Sequence, residues 1–150
     1  MRMLPFARYT IAFCASAFIA GCADSPGDIS RDAEPFAGIA ADETITALGT
    51  EPFWKLEISP EGGRYQAVYA TPENIDGSAF TATRFAGNNG LGYSGELDGR
   101  AVNLALTPGE CSDGMSDRVY PFTATLAVGE ETLFGCAYTD AAPFTGDPAP

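Results

Sequence analysis

The sequence predicts an all-β domain, a small antiparallel β-barrel with one disulfide, placed behind an export signal and a flexible linker. Three observations carry this reading. Between residues 44 and 139, apolar side chains recur at every second position in short runs, the period of a half-buried strand. Gly, Pro, Asn and Asp separate those runs at hairpin spacing. No helical period and no βαβ spacing interrupts them. Sequential hairpins favour an up-and-down barrel, with a β-sandwich as the alternative.

The first run is Phe53-Trp54-Lys55-Leu56-Glu57-Ile58. Trp54, Leu56 and Ile58 share one face, Lys55 and Glu57 the other, and Trp54, the sole tryptophan, belongs in the core. Residues 59–63 (SPEGG) read as a turn. Residues 64–70 follow, with Tyr65, Ala67 and Tyr69 on one side; 71–78 read as a loop and 79–86 as a third strand, turned by Gly87-Asn88-Asn89-Gly90. Residues 91–97 and 100–107 flank Asp98-Gly99, the clearest hairpin signal in the chain. Residues 119–128 put Phe122, Ala124, Leu126 and Val128 on one face, and 132–138 close the domain. A domain of about 95 residues buries a modest core, and a barrel of this size is filled by its own side chains.

The domain boundaries are 1–21 (signal peptide), 22–43 (linker), 44–139 (barrel) and 140–150 (tail). Residues 1–8 form a basic n-region, and residues 9–20 (YTIAFCASAFIA) an apolar segment too short for the roughly 20 residues of a membrane-spanning helix. The segment ends in Ile19-Ala20-Gly21-Cys22, which resembles the bacterial lipobox. That resemblance implies diacylglycerol on Cys22, cleavage before it, and fatty acylation of the new amine, with acyl chains of the palmitate kind. An ordinary signal peptide with a chance cysteine is the alternative. The expected location is the bacterial cell envelope, lipid-anchored and periplasm-facing. Ala23, in place of the aspartate that retains enterobacterial lipoproteins in the inner membrane, points to the outer membrane. Residues 23–43 and 140–150, rich in Ala, Asp, Pro and Gly without a sustained period, read as flexible tether and disordered tail.

The chain has 20 acidic residues, 8 basic residues and no histidine. All the acids follow residue 21, whereas Arg2 and Arg8 precede it. Such a domain repels nucleic acid and anionic headgroups and suits a basic protein partner; acidity also simply keeps an exported protein soluble. Without histidine, Ser-His-Asp and Cys-His chemistry and His-ligated zinc are excluded. Cys14 leaves with the signal and Cys22 carries lipid, so Cys111 and Cys136 are left in an oxidising compartment and are expected to pair. The bridge would close a loop of about 25 residues, contributing about 3.5 kcal/mol in the chain-entropy account. Two free thiols or half a metal site are the alternatives.

Two stretches fit neither strand nor simple turn: Ala47-Leu48-Gly49-Thr50-Glu51-Pro52-Phe53-Trp54 and Cys111-Ser112-Asp113-Gly114-Met115-Ser116-Asp117-Arg118-Val119-Tyr120-Pro121. With Gly135-Cys136-Ala137, they resemble an uncharacterised family of bacterial lipoproteins and periplasmic proteins, sometimes found beside META-type heat-shock lipoprotein domains. The resemblance covers most of 47–138 and implies location and a small β fold, without an activity.

The candidate binding or structural cluster is Glu51, Asp113, Ser116, Asp117 and Arg118, expected at one end of the barrel near the disulfide. Its bland form is a turn network in which Asp113 and Ser116 cap turns and Arg118 pairs with Asp113, Asp117 or Glu51. Met115 would plug the barrel end. Asp113 and Asp117 offer oxygen ligands to a hard cation such as Ca²⁺, but the spacing is not that of an EF-hand loop. Ser94 lacks a base, and Glu51 with Asp113 as a glycosidase pair asks for a cleft this domain is too small to provide. The reading is therefore a non-enzymatic binding or structural module without a cofactor. An inhibitor of a basic cell-wall hydrolase, of the lysozyme-inhibitor type, and a carrier of a small apolar ligand are the alternatives.

Overall fold

The computed structural model describes residues 34–147. Eight strands follow one another: β1 (Ile45–Thr50), β2 (Phe53–Glu61), β3 (Arg64–Thr71), β4 (Asn74–Ala86), β5 (Leu91–Leu97), β6 (Arg100–Ser112), β7 (Val119–Val128) and β8 (Glu131–Thr139). Each pairs antiparallel with its sequence neighbours, and β8 returns to β1 to close the barrel. Closure leaves no free sheet edge, which a sandwich would have. Ile45 pairs with Thr139, so the chain enters and leaves the barrel at the same end, here called the base. The opposite rim carries the short turns after β1, β3, β5 and β7.

Alternation fills the interior. Trp54, Leu56 and Ile58 of β2, Val102, Leu104 and Leu106 of β6, and Phe122, Ala124, Leu126 and Val128 of β7 are all buried in one core. Trp54 occupies the space left by two glycines. A Cβ on Gly49 would run into the Trp54 indole, and one on Gly135 into the Leu48 carbonyl and the same ring. Small residues on β1 and β8 thus make room for the largest one on β2. Two-residue hairpins use the residues their twist demands: Gly62-Gly63 and Asp98-Gly99 have both φ values positive.

Three boundaries differ from expectation. Residues 45–50 are a strand, although Gly49 removes the last apolar side chain from its inner face and shortens the visible period. β4 begins at Asn74 rather than 79, joined to β3 through an irregularity between Tyr69 and Thr71, with Ile75 facing out. β2 runs through Ser59 and Pro60 to Glu61. Pro60 lies beyond the last β1 partner, Ile58, so its missing N–H costs no ladder bond.

The flanking segments are also packed where they are described. Ile39 is 1% exposed within the core, and Phe36 packs against it. The Phe36 amide donates to the Gly87 carbonyl at 2.7 Å, Arg84 Nη2 to the Ile39 carbonyl at 2.9 Å, and the Tyr65 hydroxyl to the Ala41 carbonyl at 3.0 Å. Residues 36–41 therefore stop the base of the barrel, correcting the expectation of a free tether as far as residue 43. Two large apolar side chains among small and polar ones are lost in the average composition. Near this stopper, burial pushes the Tyr93 hydroxyl up to about 12, with Tyr65 packed edge-on at 5.1 Å. The tail expectation is corrected likewise, since Val119 and Thr145 exchange two backbone bonds of 2.9 Å. Residues 1–33, including the expected signal segment and Cys22, lie outside the described residues.

Candidate functional site

Past Leu106, β6 and β7 continue as a hairpin arm with a register shift between Pro108 and Cys111. The arm lies against the outer wall of the barrel. In β8, Leu133, Ala137 and Thr139 face inward, which gives Cys136 the outward parity of Phe134 and Tyr138. Cys136 is nevertheless 1% exposed, because the arm covers it. The Cys111–Cys136 disulfide, with Cα atoms 5.6 Å apart, fixes the arm to β8. Thr50 Oγ1 donates to the Asp113 carbonyl at 3.0 Å, fixing it to β1 as well. The two unusual stretches of sequence meet at this bond.

Asp113 organises the loop at the tip. Its Oδ1 accepts from the amides of Met115 (3.0 Å) and Ser116 (2.9 Å), and its Oδ2 from the hydroxyls of Ser116 (2.8 Å) and Tyr120 (3.2 Å). These donors, the Met115 amide foremost, hold the carboxyl down at about 2. Four donors on one carboxylate satisfy it without a metal or a counter-ion. Ser116 Oγ accepts in turn from the Arg118 amide at 3.3 Å.

Arg118 does not form the expected ion pair with Asp113, Asp117 or Glu51. Its guanidinium carbon sits 4.4 Å from the centroid of the Phe144 ring. Phe144 packs on Tyr120 and Tyr138 at centroid distances of 5.4 and 5.1 Å. Among the described residues, the ion pair present is Lys55–Glu57 at 2.8 Å. Asp113, Ser116 and Arg118 thus come together through Tyr120 and Phe144. Asp117 and Glu51 are exposed, and their carboxylates accept no hydrogen bond among the described residues. Met115 is exposed on the arm, not inserted into a barrel end, because the arm leaves the barrel before reaching it.

No family model, curated protein or solved structure matches this chain.

The site's own geometry therefore carries the functional argument. A groove of about 260 Å³ runs between the arm and the wall, lined by Thr50, Ser112, Asp113 and Phe134 among others. Among the described residues no three His, Cys, Asp or Glu side chains gather as a metal site. Sequence reasoning missed Thr50, Tyr120 and Phe144, the residues that fasten the loop. Phe144 had a visible signal, a lone aromatic in a polar tail.

Proposed function

We propose that this chain is a non-enzymatic envelope lipoprotein whose barrel serves as a periplasm-facing binding or structural module. The observation that carries the reading is the division of the molecule: a filled, stoppered barrel whose chain enters and leaves at the base, with its exposed apolar residues outside. A packed core leaves no interior for a small apolar ligand, which disfavours the carrier alternative. Asp113 has its acceptor capacity taken up by its own loop, and Glu51 points to solvent, so the two supply no acid–base pair. The polar cluster thus reads as the fastening of an arm. The lipobox and the resemblance to envelope lipoproteins support anchoring through Cys22. The acidic surface favours a basic protein as partner, which keeps inhibition of a basic cell-wall hydrolase as the second reading.

Mild crosslinking and co-purification of the full chain from detergent-solubilised envelope tests this. A defined, stoichiometric protein partner lost at high salt is expected. Turnover of a cell-wall substrate by the purified chain alone would overturn the non-enzymatic reading, and inhibition of lysozyme would select the second one.

A further inference from the structure

We propose that the outer wall beside the Glu51–Pro52 turn is the docking surface, and that it receives a basic protein segment inserting one bulky apolar side chain between flanking Lys or Arg residues. The proposal rests on the binding-module reading and gives it a site.

A groove of about 300 Å³ opens here, floored by Phe53, Ala70, Pro72 and Ile75. It runs on into a cleft of about 160 Å³ that shares Lys55, Ala70 and Ile75 and ends on Val68 and Asp76. Phe53 has outward parity on β2, opposite to Trp54, and adds nothing to the core. It is 53% exposed and Ile75 is 81% exposed. Two large apolar side chains flanking one concavity are more than the scattered exposure usual on a soluble surface.

The charges around the groove select the occupant. The turns that frame it carry Glu51 and Glu73, both exposed, and its far end carries Asp76. Its one cation, Lys55, is paired with Glu57 at 2.8 Å. An apolar floor under a negative rim suits an apolar side chain set among cations, the arrangement in which a buried anchor gives affinity and the rim gives steering. A second copy of the chain would bring the same acidic rim and a formal charge of −12. An anionic membrane surface would be repelled in the same way, and the N-terminal lead leaves the barrel at its other end.

The test uses the full chain in detergent and fluorescent pentapeptides: Lys-Lys-Phe-Lys-Lys, Lys-Lys-Ser-Lys-Lys and Glu-Glu-Phe-Glu-Glu. The first should bind about tenfold or more tightly than either of the others at low salt. Phe53→Ser with Ile75→Ser should remove that preference, and Glu51→Lys with Glu73→Lys should weaken binding several-fold, both with Tm unchanged because these side chains are exposed. Equal binding of the phenylalanine and serine peptides, or a preference that survives Phe53→Ser/Ile75→Ser, overturns the site. So does dimerisation at micromolar concentration that Ile75→Ser abolishes, since the groove would then belong to a second copy. The two proposals fail differently. A natural partner that still co-purifies with Phe53→Ser/Ile75→Ser leaves the binding module and removes this groove. Turnover by the chain alone removes the module, whatever the peptides do.

Discussion

Asp113 shows how one side chain holds a loop that has no regular structure to hold it. Its carboxylate replaces the ladder bonds that residues 113–118 lack, so the change Asp113→Asn exchanges two charge-assisted bonds from hydroxyls for weaker ones that the amide NH2 must donate. We expect a loss of about 1–2 kcal/mol at neutral pH. The pH dependence has a definite sign. The folded carboxyl sits at about 2, below its ordinary 3.8. The unfolded chain therefore takes up the proton first as pH falls, and the stabilisation present above about pH 4 is lost through about pH 2. Tm measured between pH 5 and pH 2 should fall more steeply for the native chain than for Asp113→Asn; parallel profiles would show that the carboxylate is not held. At the Trp54 pocket the expected change is steric. Gly135→Ala drives a methyl into the Leu48 carbonyl and the indole, costing about 2 kcal/mol or more, seen as a lower Tm with a shifted tryptophan emission. Trp54 as a core residue follows from alternation with Leu56 and Ile58. The glycines that seat it belong to β1 and β8, and only the register between strands reveals them.

The arm is the element whose loss should leave the rest standing. It lies outside the core, so Cys111→Ser with Cys136→Ser should lower stability by about 3.5 kcal/mol while the strand signal in far-ultraviolet circular dichroism persists below Tm. Collapse of that signal at room temperature would mean that the barrel itself depends on the bridge. Arg118→Ala has a smaller expected effect than a broken buried ion pair would have. Its partner is the face of Phe144, worth about 1 kcal/mol. A double-mutant cycle with Phe144→Ala should show coupling of about 0.5–1 kcal/mol, whereas additive effects would exclude the contact. At this scale the sequence is legible in part. The disulfide follows from counting cysteines, and the loop's polar density marks residues 111–118 as held by something. The arm's place on the outer face of β8 was hidden, because Pro108-Gly109 looks like the end of β6. The fold-back depends on a register shift and on Thr50, Cys136 and Phe144, all distant in sequence.

Over the described residues, the barrel is a closed surface with one stopped end and one open set of turns. Successive hairpins make the barrel legible from residue 53 onward. Closure depended on β1, which alternation shows poorly because Gly49 carries no side chain, and the stopper depended on Phe36 and Ile39 within an otherwise linker-like composition. Ile39→Asp should therefore destabilise the barrel by about 2 kcal/mol or more, although residue 39 lies outside every strand. An unchanged urea midpoint would show that the segment merely rests on the base. The proposed anchor makes its own prediction: Cys22→Ala should release soluble protein or leave uncleaved precursor, and membrane retention at unchanged mass would refute lipidation.

The stopper also gives the protein a mechanical character. Tension applied at Glu34 meets residues 36–41 before it meets β1. There the load falls on a few bonds in turn, the Phe36 amide to Gly87 and then Arg84 to the Ile39 carbonyl. β1 comes next, held by β2 over Ile45–Thr50 and by β8 over Ile45–Leu48, so two ladders must break before it leaves the barrel. A weak clasp is thus placed in series ahead of a strong clamp. Yielding of the clasp pays out roughly ten residues, about 35 Å of chain, while the barrel stays folded. A force trace should show that short early step ahead of the main rupture, and a single rupture would mean that clasp and clamp give way as one.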